Sequence, residues 1–179
     1  GVVNYDPAAS ISRNDVCKPS KRTNRKLDDD EIVKLMGKLN DHSIISEQFS
    51  IALKILLHTG QRRGEIINAQ WQEVDLAQGT WYIPAAKNKA GRDHIVYLTS
   101  TVVQFFKRLK ALSYGSEWVI PSKSCSVKPF SERALTRAVN RAQEQFGLKK
   151  WVPHDLRRTF VSGVNGIGGE IHVTEKIVN

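Results

Sequence analysis

Residues 74–98 read VDLAQGTWYIPAAKNKAGRDHIVYL, and the fold class turns on them because the hydrophobic period changes there. Val74–Leu76, Trp81–Pro84 and His94–Leu98 have the composition of short strands, rich in β-branched and aromatic residues. Ala77–Thr80 and Lys87–Arg92 each contain a glycine and read as the turns between them. The expectation is a three-stranded antiparallel meander.

On both sides of this stretch the period is helical. Folded structure is expected to begin at Leu27, where Asp28 is a good N-cap and Glu31 three residues on completes a capping box. Leu27 and Ile32 suit a hydrophobic staple, and Ile32, Val33, Leu35, Met36 and Leu39 mark one helical face. A second helix is expected over Ser46–His58, with Phe49, Ala52, Leu53, Leu56 and Leu57 inward and Gly60 as its stop. A short third covers Arg62–Ala69. Past the meander, helices are expected over Ser100–Leu112, Ser131–Phe146, His154–Val164 and Val173–Val178. Helices, a small sheet, then helices again describe a mainly helical α+β domain at 27–179. Residues 1–26 read as a linker. Between Arg13 and Lys26, Arg13, Lys18, Lys21, Arg22, Arg25 and Lys26 stand against Asp15 alone, a run that suits either a solvated segment or phosphate contact.

The 179 residues carry 27 Lys and Arg against 18 Asp and Glu, a formal charge of +9. That excess favours a polyanionic partner, nucleic acid first and an anionic membrane surface second, although a basic protein with neither would have the same balance. Cys17 and Cys125 are far apart in sequence and belong to no Cys/His cluster, which argues against structural zinc and fits a reducing cytoplasm. No apolar run approaches the ~20 residues that span a bilayer.

Three basic clusters carry the chemistry. Thr59-Gly60-Gln61-Arg62-Arg63-Gly64-Glu65 lies where one helix ends and another begins, a place where backbone N–H groups and an arginine fork suit a phosphate. Glu65 is one turn from Arg62 and able to hold it; a surface Arg–Glu pair is the plainer reading. Lys87-Asn88-Lys89-Ala90-Gly91-Arg92-Asp93-His94 sits on the turn between two strands, where a lysine can be carried into a groove or simply be solvated. His154-Asp155-Leu156-Arg157-Arg158-Thr159 follows Pro153 at a helix start, so His154 and Arg157 share a face. Taken singly, each is compatible with an ordinary surface.

In this order, Thr-Gly-x-Arg-x-x-Glu, a turn lysine and His-x-x-Arg-Arg-Thr resemble the tyrosine recombinase (phage integrase) family, from about Leu27 to Asn179. AQWQEVDL (69–76), the second and third strands, and HVTEKIVN (172–179) are similar to its segments, and VNYDPAASI (3–11) resembles the end of the core-binding domain that precedes it. The version most similar belongs to bacterial prophages and genomic islands. The resemblance implies Arg62 and Arg157 as the catalytic arginines, His154 as the histidine of His-x-x-Arg, Glu65 as support and Lys89 as the turn lysine, with Lys87 its rival. It implies no metal or cofactor, no small-molecule substrate and no membrane. The partner it implies is duplex attachment-site DNA, bound by a tetramer of the full-length protein in the bacterial cytoplasm.

The same chemistry follows from the residue types. Two arginines can stabilise the charge that builds on a phosphodiester under attack. Lys89 can protonate the leaving 5′ oxygen, and His154 can relay a proton or steady the phosphate. The family's nucleophile is a tyrosine, which forms a 3′-phosphotyrosyl bond. The segment like HVTEKIVN should be followed by a His or Trp and then that tyrosine, and the chain stops at Asn179. Tyr5, Tyr82, Tyr97 and Tyr114 lie upstream in the wrong elements; His42, His58, His94 and His172 receive no role. The chain is therefore expected to bind DNA without cleaving it in cis. Arg133, Arg137 and Arg141 recur every four residues opposite Ala134, Leu135, Ala138, Ala142 and Phe146, which predicts a basic stripe along the DNA backbone. A non-catalytic DNA-binding module of the same fold is the alternative, and a type IB topoisomerase ranks below it.

Overall fold

The fold was obtained as a computed structural model, which describes residues 24–122 and 125–178. The greater part of the expected linker, residues 1–23, lies outside the described residues, as does the reading placed on residues 3–11.

Helix α1 (Asp29–Lys38) starts as its sequence requires. Glu31 N–H donates to Asp28 Oδ1 at 2.9 Å and Asp28 N–H to Glu31 Oε2 at 3.3 Å, closing the capping box. Leu27, ahead of the cap, is buried, and its N–H donates to Thr159 Oγ1 at 2.9 Å, which fixes where the chain enters the domain.

Helix α2 (Glu47–Thr59) is the centre of the core. Phe49, Ile51, Ala52, Leu53, Ile55 and Leu56 are all buried, so more of its circumference is covered than an amphipathic stripe would be. It packs against α4 (Ser100–Leu112) on one side and α7 (Pro153–Gly166) on the other. Leu53 is fully buried, and its truncation to Ala belongs to the class that costs about 2–5 kcal/mol. A short α3 (Arg63–Ile67) follows α2 and packs on it.

The meander forms with the order β1 (Val74–Asp75), β2 (Thr80–Ile83), β3 (His94–Tyr97), antiparallel throughout. Trp81 pairs with Val96 and Ile83 with His94. Trp81, Ile83 and Val96 are buried, whereas Tyr82, Ile95 and Tyr97 are exposed, so alternation assigns the two faces. Trp81 lies 5.8 Å, ring to ring, from Phe106 of α4, and this contact seats the sheet on the helices.

A second hairpin, β4 (Pro121–Ser122) with β5 (Cys125–Pro129), was not foreseen. Prolines at both ends and a Ser/Lys-rich run hide it from propensity; its anchors are side chains, with Trp118 Nε1 donating to Val127 O at 3.1 Å and Ser116 Oγ to Ser126 O at 2.6 Å. The helix expected over 131–146 is two helices, α5 (Glu132–Arg141) and α6 (Gln143–Phe146). The join is at Ala142, next to Gln143, whose side chain bonds the backbone of Trp151 on both its polar atoms (2.6 and 3.3 Å). The last helix, α8 (Ile171–Val178), packs on α7. Among the described residues no helix is long and apolar enough to cross a membrane.

Candidate active site

The site is assembled where α2 stops. Gly60 takes a left-handed conformation (φ +65°) and turns the chain out of the helix. A Cβ there would stand 2.8 Å from Val178 Cγ1 and would run into Phe160, so glycine is needed both for the turn and for the close approach of α7 and α8. The turn leaves Arg62 at the N-cap of α3. Glu65, whose side chain is only 2% exposed, accepts from the Arg62 backbone N–H at 2.6 Å and from Arg62 Nη1 at 3.0 Å. One buried carboxylate thereby bonds both the helix start and the Arg62 guanidinium.

Arg157 reaches the same place from the first turns of α7. Asp155 caps that helix, accepting from Val152 N–H at 2.9 Å, and holds Arg158 at 2.7 Å. Arg157 Nη1 donates to the carbonyls of Gly60 (2.9 Å) and Val178 (2.6 Å). It is bonded to the turn that carries Arg62, and the two cations feel each other. Burial first, then the Arg62 charge, pulls the Arg157 pKa down to about 10, with Glu65 acting in the opposite sense. Two guanidiniums, one of them paired with the Glu65 carboxylate, leave positive charge for an anion.

Arg62, Lys89 and His154 line one cavity of about 520 Å³, with Glu65, Lys87 and Glu132. Arg157 does not line it; it lines an adjoining hollow of about 300 Å³ with His154, Asn24 and Lys26, so His154 stands between the two. The last residues of the expected linker thus border the arginine pocket. Lys89 is exposed and makes no hydrogen bond or ion pair among the described residues. Lys87, its rival, lines the same cavity but is bonded at its wall: its Nζ donates to Glu73 Oε1 (2.5 Å), Gln70 Oε1 (2.9 Å) and Asn68 O (3.0 Å). His154 is held below the usual histidine range by partial burial, then by Arg158 and Arg157.

Two participants were missed. His94 shares the inward face of β3 with Val96, a parity legible in the sequence, and its Nε2 lies 3.2 Å from Ile177 O. Burial lowers its pKa; the Ile177 carbonyl and Glu65 oppose this, while Arg157 and Arg62 add to it, which places the ring beside the arginine cluster. Buried Gln61 donates to the same Ile177 carbonyl at 2.9 Å. Between them Gln61, His94 and Arg157 engage two terminal carbonyls of α8, groups that a helix end leaves without internal partners. No local pattern marks that long-range docking.

Tyr82, Tyr97 and Tyr114 line neither hollow. Arg133, Arg137 and Arg141 are exposed along one side of α5, opposite buried Leu135, Ala138 and Val139, as the period predicts. Among the described residues no group of three or more His, Cys, Asp or Glu side chains is placed to hold a metal ion.

The profile described as "Phage integrase family" matches residues 25–179. Prophage integrase IntA of Escherichia coli K12 is 30% identical over 79% of the chain, and the integrase of Salmonella phage P22 is 26% identical over 73%. The chain spans about a third of the length of these relatives (34% and 36%). Among solved structures, XerA recombinase superposes with a TM-score of 0.70 at 24% identity, covering 86% of this chain and 55% of that one. The lambda integrase catalytic core superposes at 0.68 and 19% identity, covering 86% of this chain and 93% of that one. The fold is that of the tyrosine recombinase catalytic domain, and over nearly all its described length the chain belongs to the phage integrase family.

Proposed function

We propose that this domain, residues 27–179, is the catalytic domain of a site-specific DNA recombinase that breaks and rejoins duplex DNA through a 3′-phosphotyrosyl intermediate. One observation carries the reading: Arg157, bonded to the Gly60 turn, shares its electrostatic surroundings with Arg62 and Glu65, beside a cavity that also holds His154 and Lys89. Such a pocket suits one phosphate. Arg62 and Arg157 stabilise the charge on its non-bridging oxygens, in a partly buried site where fixed donors act strongly. The tyrosine oxygen bonds to phosphorus as the bond to the 5′ oxygen breaks; the tyrosine gives up its proton with help from His154, and Lys89 delivers one to the departing 5′ oxygen. Rejoining reverses both transfers, and the energy of the phosphodiester is conserved. The nucleophile is supplied by a segment outside the site described.

Arg133, Arg137 and Arg141 follow the DNA backbone, and residues 1–26 lead from a preceding core-binding domain. The full-length protein acts as a tetramer on paired attachment sites in the bacterial cytoplasm; a lambda integrase tetramer bound to a Holliday junction is among the structural relatives of this fold. The alternative, a DNA-binding module without cleavage, is separated by experiment. In a full-length recombinase containing this domain, Arg62→Ala and Arg157→Ala should each abolish covalent capture of a nicked suicide duplex while leaving the fold intact. Near-normal covalent complex from either variant rejects the assignment, and none from the unmutated protein favours the module.

A further inference from the structure

We infer that Lys87 is a positioning residue: it anchors the β2–β3 turn to the α3 side of the cavity so that Lys89, two residues on, is presented to the phosphate. The inference rests on the recombinase reading above. An ammonium group has three protons, and those of Lys87 face three acceptors: Glu73 Oε1 at 2.5 Å, Gln70 Oε1 at 2.9 Å and Asn68 O at 3.0 Å. Nζ also lies 5.4 Å from the centre of the Trp118 ring. Glu73 is buried, its side chain 6% exposed, and its other oxygen accepts from Gln70 N–H at 2.9 Å, so Lys87 is the cation that its burial requires.

The turn is also bonded within itself. Buried Asn88 donates to Arg92 O at 2.6 Å and accepts from Ala90 N–H at 2.9 Å, and Gly91 N–H donates to Asn88 O at 2.9 Å. Asp93 accepts from Ala85 N–H at 2.8 Å across its base. A tip stitched in this way moves as a unit, and Lys87, immediately before it, ties it to the residues that follow α3. Lys89 sits on the tip with its amine unbonded among the described residues. One lysine fixes the turn and the other is left to reach the substrate.

The test uses a full-length recombinase containing this domain and a duplex selected from a random pool by covalent capture on that protein. Cleavage is timed with ordinary oxygen and with sulfur replacing the 5′ bridging oxygen, since a thiolate leaves without being protonated. Lys89→Ala should be slow on oxygen and restored by sulfur; if it is not, the general-acid role of Lys89 fails, whatever Lys87 does. Given that control, Lys87→Met should slow the oxygen substrate about ten- to hundredfold, part of the ~10²–10⁴ that a general acid contributes. Sulfur should restore it, and Lys87→Met with Lys89→Ala should be no slower than Lys89→Ala alone. Glu73→Gln cuts the same anchor from its other end and should give the same sulfur-restored defect. In the 179-residue chain, both anchor variants should lower the backbone ¹⁵N order parameters of residues 88–92 together, as expected of a tip that moves as a unit. Equal slowing on both substrates, or unchanged cleavage of oxygen, overturns the inference.

Discussion

Replacing Glu65 with Gln tests the arginine pocket at the point where it is held. Both carboxylate oxygens accept bonds from Arg62, at 2.6 and 3.0 Å, and the side chain is 2% exposed. A glutamine of the same shape has one acceptor, so its NH2 must face either the Arg62 N–H or the Arg62 guanidinium. A buried donor without an acceptor costs about 1–3 kcal/mol, and the lost ion pair adds little because Arg62 is 28% exposed and water screens it. A total near 2 kcal/mol lowers Tm by about 4–8 °C in a chain of this size. The charge lost is also the one that opposes the mutual effect of Arg62 and Arg157. Inorganic phosphate, bound between those arginines, should therefore raise the Tm of Glu65→Gln more than that of the wild type at matched ionic strength. Thermal melts in chloride and in phosphate read both effects. An unchanged Tm, or an equal phosphate response in the two proteins, refutes the reasoning.

Gly60→Ala forces a Cβ into a φ of +65° and against Phe160 and Val178; the left-handed conformation alone costs about 1–2 kcal/mol, so a Tm fall of at least a few degrees is expected, and a neutral variant contradicts the packing of α7 and α8 on the turn. Arg133→Ala, Arg137→Ala and Arg141→Ala together should weaken DNA binding and flatten its log–log salt slope by up to about 2.7, at ~0.9 per phosphate contact; an unchanged slope removes the stripe from the DNA. His154 and His94 have pKa values held below the ordinary 6.5, so the unfolded chain takes up protons first. Their contribution to stability is complete above that pH and is lost as pH falls below it, whereas phosphate affinity should rise over the same window because bound anion favours the protonated rings. Urea titrations and phosphate binding at pH 7.5 and 5.5 check the two opposite signs.

Local rules made the elements legible where local chemistry decides them. The Asp28–Glu31 box, the Gly60 stop and the three-stranded antiparallel meander each depend on neighbours in sequence, and each formed as read. The β4–β5 hairpin depends on distant anchors such as Trp118, and the break at Ala142 lies beside the grip of Gln143 on Trp151, which no periodicity carries. The site divides in the same way. Glu65 holding Arg62 is a contact within one turn and could be read; the docking of α8 on Gln61, His94 and Arg157 joins residues far apart in the chain and could not. For the two turn lysines, spacing narrowed the choice, and what distinguishes them is the buried Glu73 that only Lys87 reaches.

The most direct measurement is of the guanidinium ¹⁵Nε resonances of Arg62 and Arg157 while the chain is titrated with a short DNA duplex. A shared phosphate pocket requires both resonances to shift together with a single Kd, and to lose that response when either arginine is replaced by Ala. If one resonance stays still, or the two follow different affinities, the arginines do not hold a common phosphate.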